Sequence, residues 1–292
     1  MTSPPPTRRQ VIGAAAGAGF ALAVRPISAA TITTPADGLD AGDVTIKTST
    51  GDIPGYRAVP AKRKKKAPVV LVVHEIFGVH EHIRDVCRRL AKQGYYAVAP
   101  ELFFRQGDVS KLTDSKDIRN KVVSKVPDAQ VMSDLDATMA FAKASGAADV
   151  SRVAMTGFCW GGRITWLFAA HASAGAAAKG KELKAGVAWY GRLVGDKGAM
   201  TPRNPIDVAA EIKVPILGLY GGRDDGIPQD SVAQMRTSLA TGSAAAKRSE
   251  IKVYPAAGHA FFADYRPSYR ADDAADGWSR MLAWFKVNGV AS

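Results

Sequence analysis

The sequence predicts an α/β fold in which a mostly parallel, twisted sheet carries helices on both faces and begins with a β-hairpin. Apolar runs of strand length alternate with segments of helical periodicity from residue 69 to the C-terminus, which is the pattern of a parallel sheet covered by helices. The run Val69–Val73 is apolar and mostly β-branched, as expected for a strand buried on both faces. Before it, two strand-like runs flank Thr50-Gly51-Asp52, which indicates a hairpin turn.

One domain is expected over residues 44–292, because no linker divides this segment and about 250 residues is an acceptable length for a single α/β domain. Helices are expected where apolar residues recur at helical spacing. Residues 108–127 are polar without a clear period, and a lid is one role open to them. The remaining expected strands are 44–47, 53–59, 95–99, 184–190, 215–220 and 250–254, and the expected helices include 83–93, 129–144 and 273–287.

Residues 1–30 have the composition of an export signal. Arg8 and Arg9 precede an apolar run that is too short to span a membrane, and Ser28-Ala29-Ala30 resembles a small-residue cleavage site. The paired arginines resemble a twin-arginine signal, although Val11 stands where an aromatic residue is usual. We therefore expect export to the periplasm, with residues 31–43 as a polar linker.

Composition and charge limit the partners of the chain. With 47% hydrophobic and 23% charged residues it is globular in composition, and its two cysteines are too few for a disulfide framework. The formal net charge is +12, but the only dense basic run, Lys62–Lys66, lies between two expected strands without interleaved aromatics. A solvated loop is therefore expected there. Neither a nucleic-acid partner nor stable membrane insertion after signal removal is expected.

A single cysteine stands at the sharpest predicted turn. Cys159 lies between Gly157 and Gly161, after a strand-like run and before a segment of helical periodicity. This is the G-x-nucleophile-x-G elbow, in which small neighbours allow a strained nucleophile backbone and a close approach of strand and helix. The dipole of the following helix favours a thiolate. A buried cysteine at a helix start would explain the same residue, so the motif alone does not decide the function.

Two later motifs supply partners for a cysteine nucleophile. Asp224 and Asp225 follow the expected strand at 215–220, and His259 follows the strand at 250–254. The carboxyl ends of parallel strands meet at one edge of a sheet, and the chain order nucleophile, acid, histidine is that of the α/β-hydrolase triad. An imidazole can take the thiol proton, and a carboxylate fixes the imidazole's tautomer and orientation. Asp224 is favoured as this carboxylate, because Asp225 fits a turn-forming role.

Two backbone N–H groups are expected to stabilise the negative charge that develops on a substrate carbonyl oxygen. One belongs to Trp160, the residue after the nucleophile. The other comes from the loop after the strand at 69–73, where Ile76 is the candidate. Together with the triad, these donors would complete an acyl-transfer site.

Four motifs together resemble the dienelactone hydrolase (carboxymethylenebutenolidase) family of α/β-hydrolases, and the resemblance covers residues 44–292. Members of this family use a Cys-His-Asp triad to open an enol lactone. The resemblance implies that Cys159 is the nucleophile, His259 the base and Asp224 its orienting acid, with no cofactor. The motifs are His74-Glu75-Ile76-Phe77-Gly78, Gly157-Phe158-Cys159-Trp160-Gly161-Gly162, Asp224-Asp225-Gly226-Ile227-Pro228 and Gly258-His259-Ala260-Phe261.

The resemblance also implies roles for three further residues. Glu75 matches a family glutamate that interacts with the resting thiol. Arg105 matches an arginine that binds the substrate carboxylate, and Tyr190 matches a tyrosine of the substrate pocket. The family's second arginine falls on Ala263, and Arg266 is out of register. The expected substrate is therefore a small lactone or ester, anionic but not necessarily the family's dienelactone, hydrolysed through an acyl-thioester.

Two other functions fit parts of the sequence. A periplasmic small-molecule binding protein could use the same scaffold without turnover, although the complete triad favours an enzyme. A thiol redox protein would need a partner for Cys159, but Cys87 lies on the apolar face of an expected helix, where burial is expected. His80, His82 and His171 match no metal-ligand spacing, so no metal site is expected, and His80-x-His82 is interpreted as polar surface at a helix start. A monomer or small homo-oligomer is expected.

Overall fold

The computed structural model describes residues 31–174 and 183–292, which form one eight-stranded sheet with helices packed against it. The strands are β1 (Leu39–Ile46), β2 (Ile53–Pro60), β3 (Ala67–Val73), β4 (Tyr96–Pro100), β5 (Ala148–Phe158), β6 (Leu183–Trp189), β7 (Ile216–Gly221) and β8 (Glu250–Tyr254). The helices are α1 (Glu81–Lys92), α2 (Ser115–Lys121), α3 (Asp128–Ala144), α4 (Trp160–Ala174), α5 (Pro205–Val208), α6 (Gln229–Thr241), α7 (Ala244–Lys247) and α8 (Ala271–Val287).

The strand order is β1-β2-β4-β3-β5-β6-β7-β8. β1 and β2 form an antiparallel hairpin, and β2 pairs antiparallel with β4. The other neighbouring strands pair in parallel: β4 with β3, β3 with β5, β5 with β6, β6 with β7 and β7 with β8. The predicted fold class is therefore confirmed, including the N-terminal hairpin. The parallel strands all end at the same edge of the sheet, and the loops that leave β3, β5, β6, β7 and β8 meet there.

The hairpin is longer than the sequence pattern indicated. β1 begins at Leu39, which pairs with Pro60, so it takes in part of the segment 31–43 that we expected to be a linker. The polar side chains of this edge strand are largely exposed, which hides its strand character in the sequence. The chain before it is also attached, because Arg88 Nε donates to the Thr34 carbonyl oxygen at 2.8 Å. The predicted export signal, residues 1–30, lies outside the described residues and stays a prediction.

The core is centred on β3, whose seven residues are all buried. Residues 108–127 pack onto this body rather than projecting from it, since Ile118 and Val126 are almost fully buried. They form α2 between two short 3₁₀ turns, Val109–Lys111 and Val123–Lys125. The basic run at 62–66 is exposed, as expected for a solvated loop. Within residues 31–174 and 183–292, no helix combines the length and apolarity that crossing a membrane requires.

A buried ion pair joins the first turn of α4 to the start of α3. Both guanidinium nitrogens of Arg163 bind the Asp128 carboxylate at 2.7 Å, and one also donates to the Arg203 carbonyl oxygen at 2.8 Å. The side chains are only 10% and 12% exposed. The pair therefore fixes the helix that follows the nucleophile elbow.

Replacing Arg163 with methionine is expected to destabilise the fold by about 3–5 kcal/mol, because it leaves the Asp128 carboxylate buried without its cation. Urea unfolding measures the change. Lys121→Met is the matched control, since it breaks an ion pair with Asp117 in which the side chains are 60% and 49% exposed, and such pairs contribute about 0–1 kcal/mol. Equal destabilisation by the two variants would contradict a structural role for the buried pair.

Candidate active site

Cys159 occupies the turn between β5 and α4 with a strained backbone. Its φ is +54°, a left-handed conformation that side-chain-bearing residues rarely adopt, and its N–H donates to the Trp189 carbonyl oxygen at 3.0 Å. The two flanking glycines are required by space. A Cβ on Gly157 would lie 2.1 Å from the Gly161 carbonyl oxygen, and one on Gly161 would lie 2.3 Å from the Val73 carbonyl oxygen. The predicted elbow is therefore present, with the thiol partly exposed.

The structure brings Cys159, His259 and Asp224 into one hydrogen-bonded chain. His259 Nε2 lies 3.2 Å from Cys159 Sγ, and His259 Nδ1 donates to Asp224 Oδ2 at 2.7 Å. The Asp224 side chain is 1% exposed, and its other oxygen accepts the Gly226 N–H at 3.0 Å. Asp225 is exposed and makes no contact with the imidazole. The structure therefore brings the three predicted residues together, with Asp224 as the acid that reaches the histidine, and their catalytic roles stay a prediction.

The electrostatics of this chain favour a charged imidazole. Burial alone would lower the pKa of His259, but the Cys159 sulfur and the Asp224 carboxylate raise that pKa to about 10. An imidazolium beside the sulfur stabilises a thiolate, the form in which cysteine attacks a carbonyl. The same imidazolium can later give its proton to a leaving group.

The two N–H groups predicted for the oxyanion are left unpaired by the described residues. Neither the Ile76 N–H nor the Trp160 N–H has an acceptor within the described part of the chain. The loop that carries Ile76 is fixed by His74, which accepts the Leu102 N–H at Nε2 (3.1 Å) and therefore donates from Nδ1 to the Glu75 carbonyl oxygen (2.6 Å). The Trp160 ring stacks on His74 with centroids 5.6 Å apart. Both donors are thus held by the same buried imidazole.

Glu75 is buried behind this loop and 1% exposed. The Tyr265 hydroxyl donates to its Oε2, and His80 Nε2 lies 3.6 Å from the same oxygen. Burial alone would raise the pKa of Glu75, but the hydrogen bond and charge of His80, with the charges of His82 and Arg266, lower that pKa to about 2. Among the described residues Glu75 Oε1 has no hydrogen-bond partner, and the hydrogen bond given to the Cys159 sulfur comes from His259. The predicted carboxylate–thiol contact stays a prediction.

The interpretation of His80 and His82 as polar surface is wrong. They are 9% and 2% exposed, and they lie at the start of α1 against the inner side of the site. His82 Nδ1 lies 3.1 Å from Asp264 Oδ1. No sequence pattern indicates this burial, because neighbouring histidines before a helix usually lie at its exposed start. Tyr265 and Asp264, the partners that bury them, follow the Gly258-His259 motif and carried no signal of their own.

The two predicted substrate contacts differ in their surroundings. Arg105 binds the Asp134 carboxylate, and its other terminal nitrogen lies 3.4 Å from Thr48 Oγ1. Its guanidinium is therefore already paired with a buried acid. The Tyr190 ring is fully buried and lies edge-on to His259 with centroids 5.3 Å apart. Within residues 31–174 and 183–292 its hydroxyl has no hydrogen-bond partner. Substrate binding by either residue stays a prediction.

The second cysteine takes no part in the site. Cys87 is fully buried in α1, and burial raises the pKa of its thiol far above the usual range. Both cysteines are free thiols. The predicted burial of Cys87 is confirmed, and the chain's own structure offers Cys159 no disulfide partner.

Comparison with known proteins assigns the family. The family model of the dienelactone hydrolases matches residues 53–288. The chain belongs to the dienelactone hydrolase family. The predicted resemblance is thereby confirmed, and this dienelactone hydrolase-like chain is a hydrolase of the α/β-hydrolase fold.

Relatives of this family member are similar over nearly their whole length. A provisionally named carboxymethylenebutenolidase of Methylorubrum extorquens is 60% identical over 286 residues, which cover 98% of this chain and 94% of the relative. One of Escherichia coli is 52% identical over 271 residues, 93% of this chain and 96% of that protein. A crystal structure from Klebsiella pneumoniae, described provisionally as a dienelactone hydrolase, is 52% identical with a TM-score of 0.79 and covers 86% of this chain and 99% of that one.

Proposed function

We propose that this protein opens small lactones or esters by cysteine-dependent hydrolysis through an acyl-thioester. The observation that carries the proposal is the hydrogen-bonded chain from Cys159 Sγ through His259 to the buried Asp224 carboxylate. A sulfur next to an imidazole with a raised pKa is a nucleophile, and the imidazolium is an acid for the leaving group. A binding protein without turnover would not need this arrangement.

The reaction divides into two acyl transfers. In the first, the Cys159 thiolate adds to the substrate carbonyl carbon, and the N–H groups of Ile76 and Trp160 stabilise the resulting oxyanion. The bond from that carbon to the ring or ester oxygen then breaks, and the His259 imidazolium protonates the departing oxygen. In a lactone this oxygen remains attached to the acyl chain. In the second transfer, His259 takes a proton from water, the hydroxide adds to the thioester, and the carboxylic acid leaves as Cys159 regains the electron pair.

Two features support a small substrate with an anionic group. Tyr190 offers a buried hydroxyl beside His259 that has no partner in the described part of the chain. Arg266 is partly buried, and its positive charge acts on Glu75, Tyr190 and Tyr265. Arg105 is a weaker candidate for the substrate carboxylate, because Asp134 already occupies its guanidinium.

The acyl-thioester is the intermediate to detect. The protein is mixed with a panel of enol lactones and activated aryl esters, quenched in acid within the first turnover, and its mass is measured. We expect a mass increase equal to the acyl group, located on the peptide that contains Cys159. Aryl esters should also release about one equivalent of phenol per chain in a burst. Turnover with the acyl group on another residue, or saturable binding of panel members without any turnover, would contradict the proposal.

A further inference from the structure

The edge of the sheet opposite the candidate active site carries an excess of positive charge. The parallel strands β3 to β8 all begin at this edge, because strands that run in the same direction share both edges. The loop at 62–66, which leads into β3, consists of four lysines and one arginine, and all five are exposed. The basic edge is this loop together with the exposed cations that lie shortly before β5, β7 and β8, namely Lys143, Lys213, Lys247 and Arg248.

Acidic side chains leave this charge largely in place. Within residues 31–174 and 183–292, no carboxylate forms an ion pair with a residue of the basic edge, and Arg63 donates to the Pro60 carbonyl oxygen at 2.8 Å. The acids near the starts of the same strands are mostly paired already, Asp149 with Arg152 and Glu211 with Arg203, both at 2.7 Å, which leaves Glu250. The positive charge of the basic edge therefore acts outward, on whatever approaches it from the solvent.

The basic edge is too wide to be filled by one small anion. It runs from β3 to β8, which are four strand spacings apart in the order β3-β5-β6-β7-β8. Neighbouring strands lie about 4.8 Å apart, so the basic edge spans roughly 19 Å. Exposed charges act over a Debye length of about 8 Å at physiological ionic strength. Only a partner that itself presents negative charge over an extended surface can therefore engage the whole edge.

We propose that the basic edge binds the anionic surface of a phospholipid bilayer, peripherally and without insertion. Lysines and arginines near such a surface are attracted to it by charge alone. Lysine is a strongly hydrated point charge on a flexible stem, and it needs no fixed geometry in its partner. The inference stands apart from the proposed hydrolysis, because no residue of the basic edge belongs to the triad or to the loops that carry it.

Nucleic acid is the other extended polyanion, and the basic edge lacks the features that recognise it. Readout of a duplex places a helix or a β-ribbon in a groove, whereas residues 62–66 form a loop between two strands. Single strands bind where aromatic side chains are interleaved with cations, and the run 61–66 contains no aromatic residue. A bilayer surface requires neither feature, so it is the partner that the described residues favour.

Binding by the basic edge would leave the candidate active site in water. The loops that carry Cys159, Asp224 and His259 follow the carboxyl ends of β5, β7 and β8, at the opposite edge of the sheet. β3 has seven residues, and a strand rises about 3.3 Å per residue, so the two edges are roughly 20 Å apart. A bilayer that covers one edge therefore does not cover the other, and a small soluble substrate can still enter.

The test measures sedimentation of the full chain with vesicles of phosphatidylcholine alone and of phosphatidylcholine mixed equally with phosphatidylglycerol. We expect binding to the mixed vesicles that weakens as salt is added, and little binding to the neutral vesicles. The loop variant Lys62→Gln/Lys64→Gln/Lys65→Gln should bind the mixed vesicles about 100-fold more weakly than wild type, because each lysine near an anionic surface contributes about fivefold.

The matched control is Lys111→Gln/Lys116→Gln/Lys125→Gln, which removes the same charge from exposed lysines between β4 and α3, at the active-site edge. It should bind the mixed vesicles nearly as well as wild type, and circular dichroism should show that both triple variants are folded. Acylation of surface lysines, mapped by mass spectrometry, reports the orientation. On the mixed vesicles the lysines of the loop at 62–66 should react more slowly than in free protein, and those between β4 and α3 at the same rate.

Four results would overturn the inference. Failure of wild type to bind the mixed vesicles at low salt would remove the partner. Equal weakening in the two triple variants would show that net charge governs binding, whichever edge carries it. Equal binding to neutral and mixed vesicles would assign the interaction to the apolar run in residues 1–30. Loop-dependent binding of a duplex DNA fragment, without binding to the mixed vesicles, would make nucleic acid the partner.

Discussion

Replacing Cys159 with alanine is expected to lower kcat/KM by about 10⁴-fold or more, because it removes the only atom at the elbow that can form the acyl bond. The residual rate would come from the oxyanion donors and from binding alone. Steady-state hydrolysis of the best panel substrate measures the loss, and circular dichroism confirms that the elbow variant is folded. Cys159 is held in a left-handed conformation, and Cys159→Ser is a useful second variant because its Oγ replaces Sγ without removing the side-chain atom at this strained position.

Cys87→Ala is the matched control for this prediction. It removes the other thiol, which is fully buried in α1 and away from the triad. The expected cost is a modest loss of stability from the small cavity, with kcat/KM within about threefold of wild type. An unchanged rate in Cys159→Ala, or an equal loss in Cys87→Ala, would rule out the elbow cysteine as nucleophile.

Replacing Asp224 with asparagine is expected to lower kcat by about 10³–10⁴-fold, since a neutral amide can neither orient the His259 ring correctly nor stabilise its imidazolium form. Asp225→Asn is the matched control, because it makes the same change one residue later on an exposed side chain. We expect Asp225→Asn to keep most of the activity. Similar losses in both variants would indicate that the loop, and not the Asp224–His259 hydrogen bond, is responsible.

Asp224→Asn is also expected to shift the alkaline limit of activity to lower pH. The Asp224 carboxylate is one of the causes that raise the pKa of His259 to about 10, so the imidazolium is retained from neutral pH up to that value. Without the carboxylate the pKa of His259 falls. The alkaline decline of kcat/KM should therefore begin at a lower pH in Asp224→Asn than in wild type. A decline at the same pH in both would show that another group governs it.

The sequence was sufficient to predict the sheet and the convergence of Cys159, Asp224 and His259, because each depends on local patterns. The apolar, mostly β-branched residues of Val69–Val73 predict a buried strand, and the two glycines that flank Cys159 predict the elbow. The carboxyl ends of parallel strands then meet at one edge of the sheet, so the strand pattern alone places Asp224 and His259 near Cys159.

The surroundings of Glu75 could not be predicted in this way. His80, His82 and Tyr265 are buried only because the start of α1 packs against the segment before α8, and these segments are far apart in sequence. Polar residues carry no periodic signal when their burial depends on such long-range packing. The early start of β1 was missed for a related reason, since Asp40 and Asp43 lie on an edge strand whose side chains are largely solvated.

Because Cys87 is inaccessible, the active sites in a preparation of this protein can be counted by thiol titration. A thiol-specific alkylating or mercurial reagent meets a single accessible thiol in each native chain, so the equivalents of label consumed give the concentration of competent sites in a preparation. Among the two thiols, oxidation by peroxide to sulfenic acid would likewise occur at Cys159, and a reductant that restores the thiol would restore the same number of sites.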